Sequence, residues 1–301
     1  MVRLVRREFG AACRLRDVRV ALRRRDYTVV LAGLSDPPLD VAIKVAGPEA
    51  PIACPFDRTA AILRLVRERT AVPVPTVLAA DTSYRDCPWR YLITTALPGV
   101  RWHDARQYWT PDDQADLWGQ LGRAAAALHT LHFPGYGEIG PDGRVLDGAT
   151  YPVALAERAW RQIGEPRHAA LFLAVLDARA EAFAQASRPC LVHDDLNPNN
   201  LLVARDEGSG CWHLTGILDF DSAWAGAAES DLARLAFWDG MAGIAFWSGY
   251  GVTRSPTPRE AERRLVLQLL WCLEYAQPTP RHHEDTARVC AVLGLPPIAF
   301  D

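Results

Sequence analysis

The sequence predicts an α+β chain in two lobes: a small antiparallel sheet with one main helix over residues 1–96, then a larger, mostly helical lobe over 97–301 with a polar hairpin. Three observations predict it. Short β-branched runs separated by turn residues crowd the first hundred positions, and beyond 110 the apolar residues recur at helical spacing. Between 189 and 221 that spacing breaks. Strand-like runs at 190–192 and 201–203 bracket a loop holding His193, Asp194, Asp195, Asn197, Asn199 and Asn200, and a third run, 214–218, delivers Asp219 at its end. Loops between buried strands present functional side chains, because the strands fix what the loop displays.

Residues 16–22 and 27–34 read as strands joined by the tight connection Arg23-Arg24-Arg25-Asp26, and Ser35-Asp36-Pro37-Pro38 turns into a third strand ending near Lys44. Ala60, Leu63 and Val66 give a helix over 56–69, ended by Pro73 and Pro75. Residues 76–80 and 90–97 read as two more strands. Thr94-Thr95-Ala96-Leu97-Pro98-Gly99 then breaks the pattern and is the expected hinge. Thr110-Pro111-Asp112-Asp113 supplies an N-cap, a first-turn proline and acids, with Leu117, Leu121, Ala125 and Leu128 as the apolar stripe that follows. Further helices are expected near 153–164, 168–186, from 230, over 257–276 behind the capping box Thr257-Pro258-Arg259-Glu260, and over 283–293 before Gly294 and Pro296.

Composition sets bounds on function. Hydrophobic residues at 49% and charged residues at 23% describe a soluble globular chain, and a net charge of -3 argues against nucleic acid as a partner. The arginine-rich first 20 residues lack the apolar core of a signal peptide, and no run approaches the roughly 18 apolar residues of a membrane span. A cytoplasmic location without membrane contact is the expectation. Seven cysteines without a Cys-x-x-Cys pair read as free thiols, mostly buried. The oligomeric state is not written in the sequence.

Of the 33 basic residues, 32 are arginine and one is lysine, Lys44. A coding bias explains the arginines. Lys44, however, closes the run Val41-Ala42-Ile43-Lys44, which reads as a buried strand aiming its last side chain into a cleft. A compact ammonium suits a phosphate approached as a point charge, which a planar guanidinium does not reproduce.

A sheet lobe, a hinge and a helical lobe with a polar hairpin form the layout of kinases. Phosphoryl transfer needs a lysine on the nucleotide phosphates, ligands for Mg²⁺, and a carboxylate that orients the attacking hydroxyl. The spacing His-x-Asp-x-x-x-x-Asn (His193, Asp195, Asn200) followed by Asp219 supplies hard oxygen ligands close to a candidate base.

At these residues the chain resembles the aminoglycoside phosphotransferase family, small-molecule kinases of protein-kinase-like fold. VHDDLNPNNLLV is similar to its catalytic loop, and ILDFDSAWAGAAESDLARL to its metal-binding segment. The resemblance implies Asp195 as catalytic base, Asn200 and Asp219 as Mg²⁺ ligands, and Lys44 as the phosphate lysine. His193 would brace the loop, Asp231 would hold it from the following helix, and Thr95, Ala96 and Leu97 would offer backbone groups to the purine of ATP or GTP. It also implies a hydroxylated, cationic small molecule as substrate, an aminoglycoside-like antibiotic first, and hence resistance. Kinases of other antibiotics or metabolites share this shape, so the substrate stays open.

Several positions depart from the family pattern. Asp194 and Asn199 stand where glycine is usual, and both residue types tolerate left-handed backbone. The glutamate expected on the first helix to pair with the lysine falls at Thr59, and the turn at 23–27 contains no glycine. His129 and His132 read as structural, and Trp238, Trp247 and Trp271 as core or pocket wall. Acids from Glu229 onward, chiefly Glu229, Asp239 and Glu274, are candidates for meeting a cationic substrate. Two other classes stay open: a phosphatase read from Asp219-Phe220-Asp221, and a kinase-shaped binding protein without turnover.

Overall fold

The computed structural model describes every residue except 51–54, 147, 185, 239–242, 253–254, 278 and 301. In chain order it contains α1 (Val2–Phe9), β1 (Leu15–Arg23), β2 (Thr28–Ser35), β3 (Pro38–Ala46), α2 (Phe56–Arg69), β4 (Val77–Asp81), β5 (Arg90–Thr95), β6 (Val100–Arg101) and the short α3 (Trp102–Ala105). Helices α4 (Pro111–His129), α5 (Tyr151–Gln162), α6 (Pro166–Ala178) and α7 (Ala180–Phe183) follow, then β7 (Cys190–Val192), β8 (Leu201–Arg205), β9 (Trp212–Ile217) and β10 (Trp224–Gly226). Helices α8 (Glu229–Leu235), α9 (Ile244–Tyr250), α10 (Pro258–Glu274) and α11 (Pro280–Leu293) complete the chain. By packing it forms two units, one of 1–107, 140–144 and 199–221, the other of 108–139, 145–198 and 222–301.

The first unit is built on a five-stranded antiparallel sheet in the order β1-β2-β3-β5-β4. Strand alternation sends Val41 and Ile43 of β3 into a core with Val30, Leu34, Leu4 and Val5. Ala42 and Lys44 therefore face the other way. Helix α1 was not expected from the sequence; its two buried residues, Leu4 and Val5, supply part of this core while Arg3, Arg6 and Arg7 stay outside. Helix α2 has the expected bounds and buries Phe56, Ile62, Leu63 and Val66 to 4% exposure or less. Full burial of such a side chain contributes about 1.5–3 kcal/mol. The hairpin β8–β9 joins this unit through β6, and Ile217 N donates to Pro73 O at 2.8 Å. Gly99, at φ +114°, makes that approach possible, since a Cβ there would overlap the Val203 carbonyl.

The second unit is mainly helical. Helices α4 and α10 open on reciprocal capping boxes, Thr110 with Asp113 and Thr257 with Glu260, each with proline at the first helical position. Side chains of α5, α6, α10 and α11 share one core with Phe183 and Trp224. The helix expected over 168–186 is broken at Arg179, and α9, which the sequence did not announce, lies on α4. Gly122 permits that contact, because a Cβ would meet the Phe246 carbonyl. Strand β7 pairs with β10 rather than with β8, so the polar stretch is a crossing between a two-stranded ribbon and the β8–β9 hairpin.

Six cysteines are free: Cys13, Cys190, Cys272 and Cys290 are buried, Cys87 half-buried and Cys211 exposed. Cys54 lies outside the described residues. Among the described residues no helix is long and apolar enough to cross a membrane.

Candidate active site

In the second unit, β7 delivers the loop 193–198. Asp231, fully buried on α8, accepts the backbone N–H of His193 at 3.0 Å and of Asp194 at 2.7 Å, which fixes how the chain leaves the strand. Asp231 is held in turn by His129 Nε2 at 3.0 Å, and His129 Nδ1 lies 2.7 Å from the Tyr250 hydroxyl. A carboxylate only accepts, so Nε2 carries a proton, and in the neutral imidazole Nδ1 accepts from the tyrosine. Inside the loop, Asp195 N donates to His193 Nδ1 at 3.2 Å and Asn197 Nδ2 donates to Asp195 Oδ1 at 3.0 Å. The half-buried Asp195 carboxylate is thus oriented by its own loop.

Asp194 is the residue here that sequence reasoning undervalued. Its φ is +61°, and its buried carboxylate is bonded by Arg158 (Nη2 2.6 Å, Nε 2.9 Å), Arg234 Nε (2.8 Å) and Ser230 Oγ (2.8 Å). Burial alone would raise its pKa, but Arg234 and Arg158 outweigh it and hold the carboxyl below the usual range. Asn199, the second position where glycine is usual, does not adopt positive φ.

The arginines continue the network. Arg158 also donates to Glu138 at 2.9 Å and to the Ser222 carbonyl at 2.7 Å, and Arg234 to Glu274 at 2.6 Å. The Glu274 side chain is 4% exposed there, and Glu229 is buried against Arg263 through two bonds of 2.6 and 2.7 Å. Both candidate substrate acids are therefore engaged by arginines. The third, Asp239, lies outside the described residues.

In the first unit Lys44 Nζ lies 2.8 Å from Asp219 Oδ1 and 2.5 Å from Asp221 Oδ2, with its side chain 13% exposed. It also sits 4.0 Å from the centroid of the Tyr27 ring. Burial would lower the lysine's pKa; the two carboxylates reverse this and raise it. Tyr27 closes the glycine-free turn after β1, and its hydroxyl lies 3.4 Å from Asp219 Oδ2. Burial and Asp219 push that phenol up to about 12. Thr59, at the expected glutamate position, donates to Asp221 Oδ1 at 2.8 Å. Asp219 has φ +64°, a conformation non-glycine residues hold mainly where the surroundings impose it.

Asn200 and Asp219 come together through the ladder, since Leu218 N donates to Asn200 O at 2.8 Å and Leu201 pairs with Ile217. An amide and a carboxylate oxygen at adjacent strand ends are the hard donors Mg²⁺ accepts, and the residues fit that ion by chemistry. Among the described residues no three of His, Cys, Asp and Glu cluster as a metal centre. At the expected hinge, the Thr95 amide is taken by Thr76 O and the Ala96 amide by Asp40 O, both at 2.9 Å.

Comparison with solved structures finds the same fold. A thermostable mutant of aminoglycoside phosphotransferase APH(4)-Ia, in ternary complex with AMP-PNP and hygromycin B, superposes with a TM-score of 0.67 at 17% identity, covering 98% of this chain and 96% of that one. The gentamicin complex of APH(2")-IIa gives 0.60 at 14% identity, covering 97% and 94%. No curated protein matches. The fold is therefore kinase-like, with an antiparallel N-terminal sheet and a mostly helical C-terminal part. Residues 40–264, which span Lys44, Asp195, Asn200, Asp219 and Asp231, match the sequence profile named for phosphotransferases, and the chain belongs to that phosphotransferase enzyme family.

Proposed function

We propose that the protein transfers the γ-phosphate of ATP or GTP to a hydroxyl of a small molecule, an aminoglycoside-like antibiotic first among them, and so confers resistance in the cytoplasm. The observation that carries this reading is the Lys44–Asp219 pair, 2.8 Å apart. It joins the chain's one lysine to the aspartate that follows the 214–218 run.

Residues 1–96 act as the nucleotide-binding lobe and 97–301 as the catalytic and substrate-binding lobe. Lys44 offsets charge on the nucleotide phosphates. Asn200 and Asp219 would hold Mg²⁺, which when bound supplies further positive charge to the phosphates. Asp195 accepts the substrate hydroxyl proton as that oxygen bonds to the γ-phosphorus and the bond to the bridging oxygen breaks. With the Thr95 and Ala96 amides used by the sheet, the purine is met by Leu97 and by carbonyl oxygens. Catalysis rests on positioning and electrostatics. The cationic groups of the substrate meet acids other than Glu229 and Glu274, which anchor Arg263 and Arg234.

The test is incubation with ATP or GTP and MgCl₂ over a panel of aminoglycosides, other hydroxylated antibiotics and small alcohols. Mass spectrometry reads the gain of one phosphoryl group. Asp195→Ala should lose transfer by a factor of roughly 10²–10⁴ while nucleotide still binds. Near-wild-type transfer by that variant would sink the reading, and nucleotide binding without turnover on any acceptor would favour the silent binding protein.

A further inference from the structure

We infer that Asp221, oriented by Thr59, is a positioning residue that keeps the Lys44 ammonium aimed at the nucleotide phosphates, a task separate from the role of Asp219. The inference rests on the phosphotransfer reading above and deepens it.

Residue 221 is gripped by α2 at two points. Thr59 Oγ1 donates to its Oδ1 at 2.8 Å, and the neighbouring Arg58 guanidinium donates to its main-chain carbonyl. Its other carboxylate oxygen, Oδ2, takes the Lys44 ammonium at 2.5 Å. Both oxygens of one carboxylate are thus used, one to fix its direction and one to hold the lysine. Thr59 is 3% exposed, so its hydroxyl meets the carboxylate inside the protein.

Asp219 shares the ammonium but, with Asn200 at the neighbouring strand end, is one of the two hard oxygen donors that would hold a cation. Asp221 has its Oδ1 engaged by Thr59, which leaves Oδ2 to the lysine. Thr59 occupies the place on α2 where the family resemblance implies a glutamate, and here the acid that meets the lysine comes from the segment after β9. The helix contributes a hydroxyl and the strand end contributes the charge.

The experiment measures affinity for ADP and ATP by calorimetry, with MgCl₂ and in EDTA, together with KM and kcat for ATP, after thermal melts confirm folding. Asp221→Asn should weaken nucleotide binding by about tenfold or more, the scale of one charge-assisted hydrogen bond lost. The loss should appear in KM more than in kcat and persist in EDTA, because it acts through Lys44. Thr59→Val should lose a few-fold, and Thr59→Ser, which keeps the hydroxyl, should stay within about twofold. Thr59→Glu combined with Asp221→Asn should recover affinity, since the longer acid reaches Lys44 from α2.

A folded Asp221→Asn variant that binds nucleotide like wild type overturns the inference. If that variant does not fold, equal affinities for Thr59→Val and Thr59→Ser overturn it instead. Wild-type protein that binds no nucleotide at all fails the phosphotransfer reading itself, before any variant is compared.

Discussion

Arg158 and Asp194 form an ion pair 2.6 Å apart, with the arginine side chain 2% exposed and the aspartate fully buried. Arg234 approaches the other carboxylate oxygen at 2.8 Å, so one acid sits between two guanidinium groups directly before Asp195 in the chain. A charge taken this far from water is tolerated only when paired and fully hydrogen-bonded. Two arginines and the Ser230 hydroxyl, all donating to the two Asp194 oxygens, meet that condition.

Removing the carboxylate should therefore cost more than restoring a conventional backbone residue gains. Asp194→Ala leaves two buried arginines facing each other and is expected to lose about 3–5 kcal/mol of folding stability. Asp194→Gly relieves the positive φ but makes the same loss. Urea denaturation of both variants measures this, and a glycine variant as stable as wild type would contradict it.

The same network should show in the acid limb of the stability curve. The folded pKa of Asp194 lies below its unfolded value of about 3.9. Its contribution is present above that value and is lost as pH falls through the folded pKa. Glu274 has the opposite sign: burial raises it, so the folded state binds its proton first and gains stability as pH falls through that raised value. Asp194→Asn should flatten the acid fall in stability and Glu274→Gln should steepen it. Denaturation midpoints between about pH 3 and 6 read both tilts.

Much of the fold was legible because its signals are local. The spacing of Ala60, Leu63 and Val66 and the prolines after Arg69 give α2, capping boxes mark α4 and α10, and β-branched runs give β2 and β3. Lys44 stood out as the one lysine. The supports of the site were not legible, because they join residues far apart in sequence whose types are common. Asp221 meets Lys44 across 177 positions, and Arg158 and Arg234 are two of 32 arginines with no local mark. Strand β10 is three residues ending in glycine, too short for a periodic signal, so the partner of β7 was missed. Helix α1 was hidden by its arginines, which read as charge before they read as one face of a helix.

His129 offers a test of how far the loop depends on α4. Its imidazole links Asp231 to Tyr250. His129→Ala should cost about 1–3 kcal/mol of stability by leaving part of the buried Asp231 carboxylate unpaired. Turnover should fall with it, because Asp231 sets the His193 and Asp194 amides that aim the loop. His129→Gln, which keeps a donor, should recover part of both. Equal stability of the alanine variant and wild type would remove Asp231 bracing from the account.

Lys44→Arg is the sharpest test of why a chain with 32 arginines keeps one lysine. The ammonium sits within 2.8 Å of two carboxylates and 4.0 Å above the Tyr27 ring, in a space shaped for one compact charge. A guanidinium keeps the charge but is planar, longer and forked, and it pairs most readily with a carboxylate in bidentate fashion. Placed here it should lock onto Asp221 or Asp219 and turn its donors away from a phosphate. The variant is expected to fold, since both acids stay paired, and to lose nucleotide affinity by about tenfold or more. Calorimetry with ADP beside a thermal melt separates the two effects. An arginine variant with wild-type affinity would mean that charge alone, without the lysine's shape, is what the site needs.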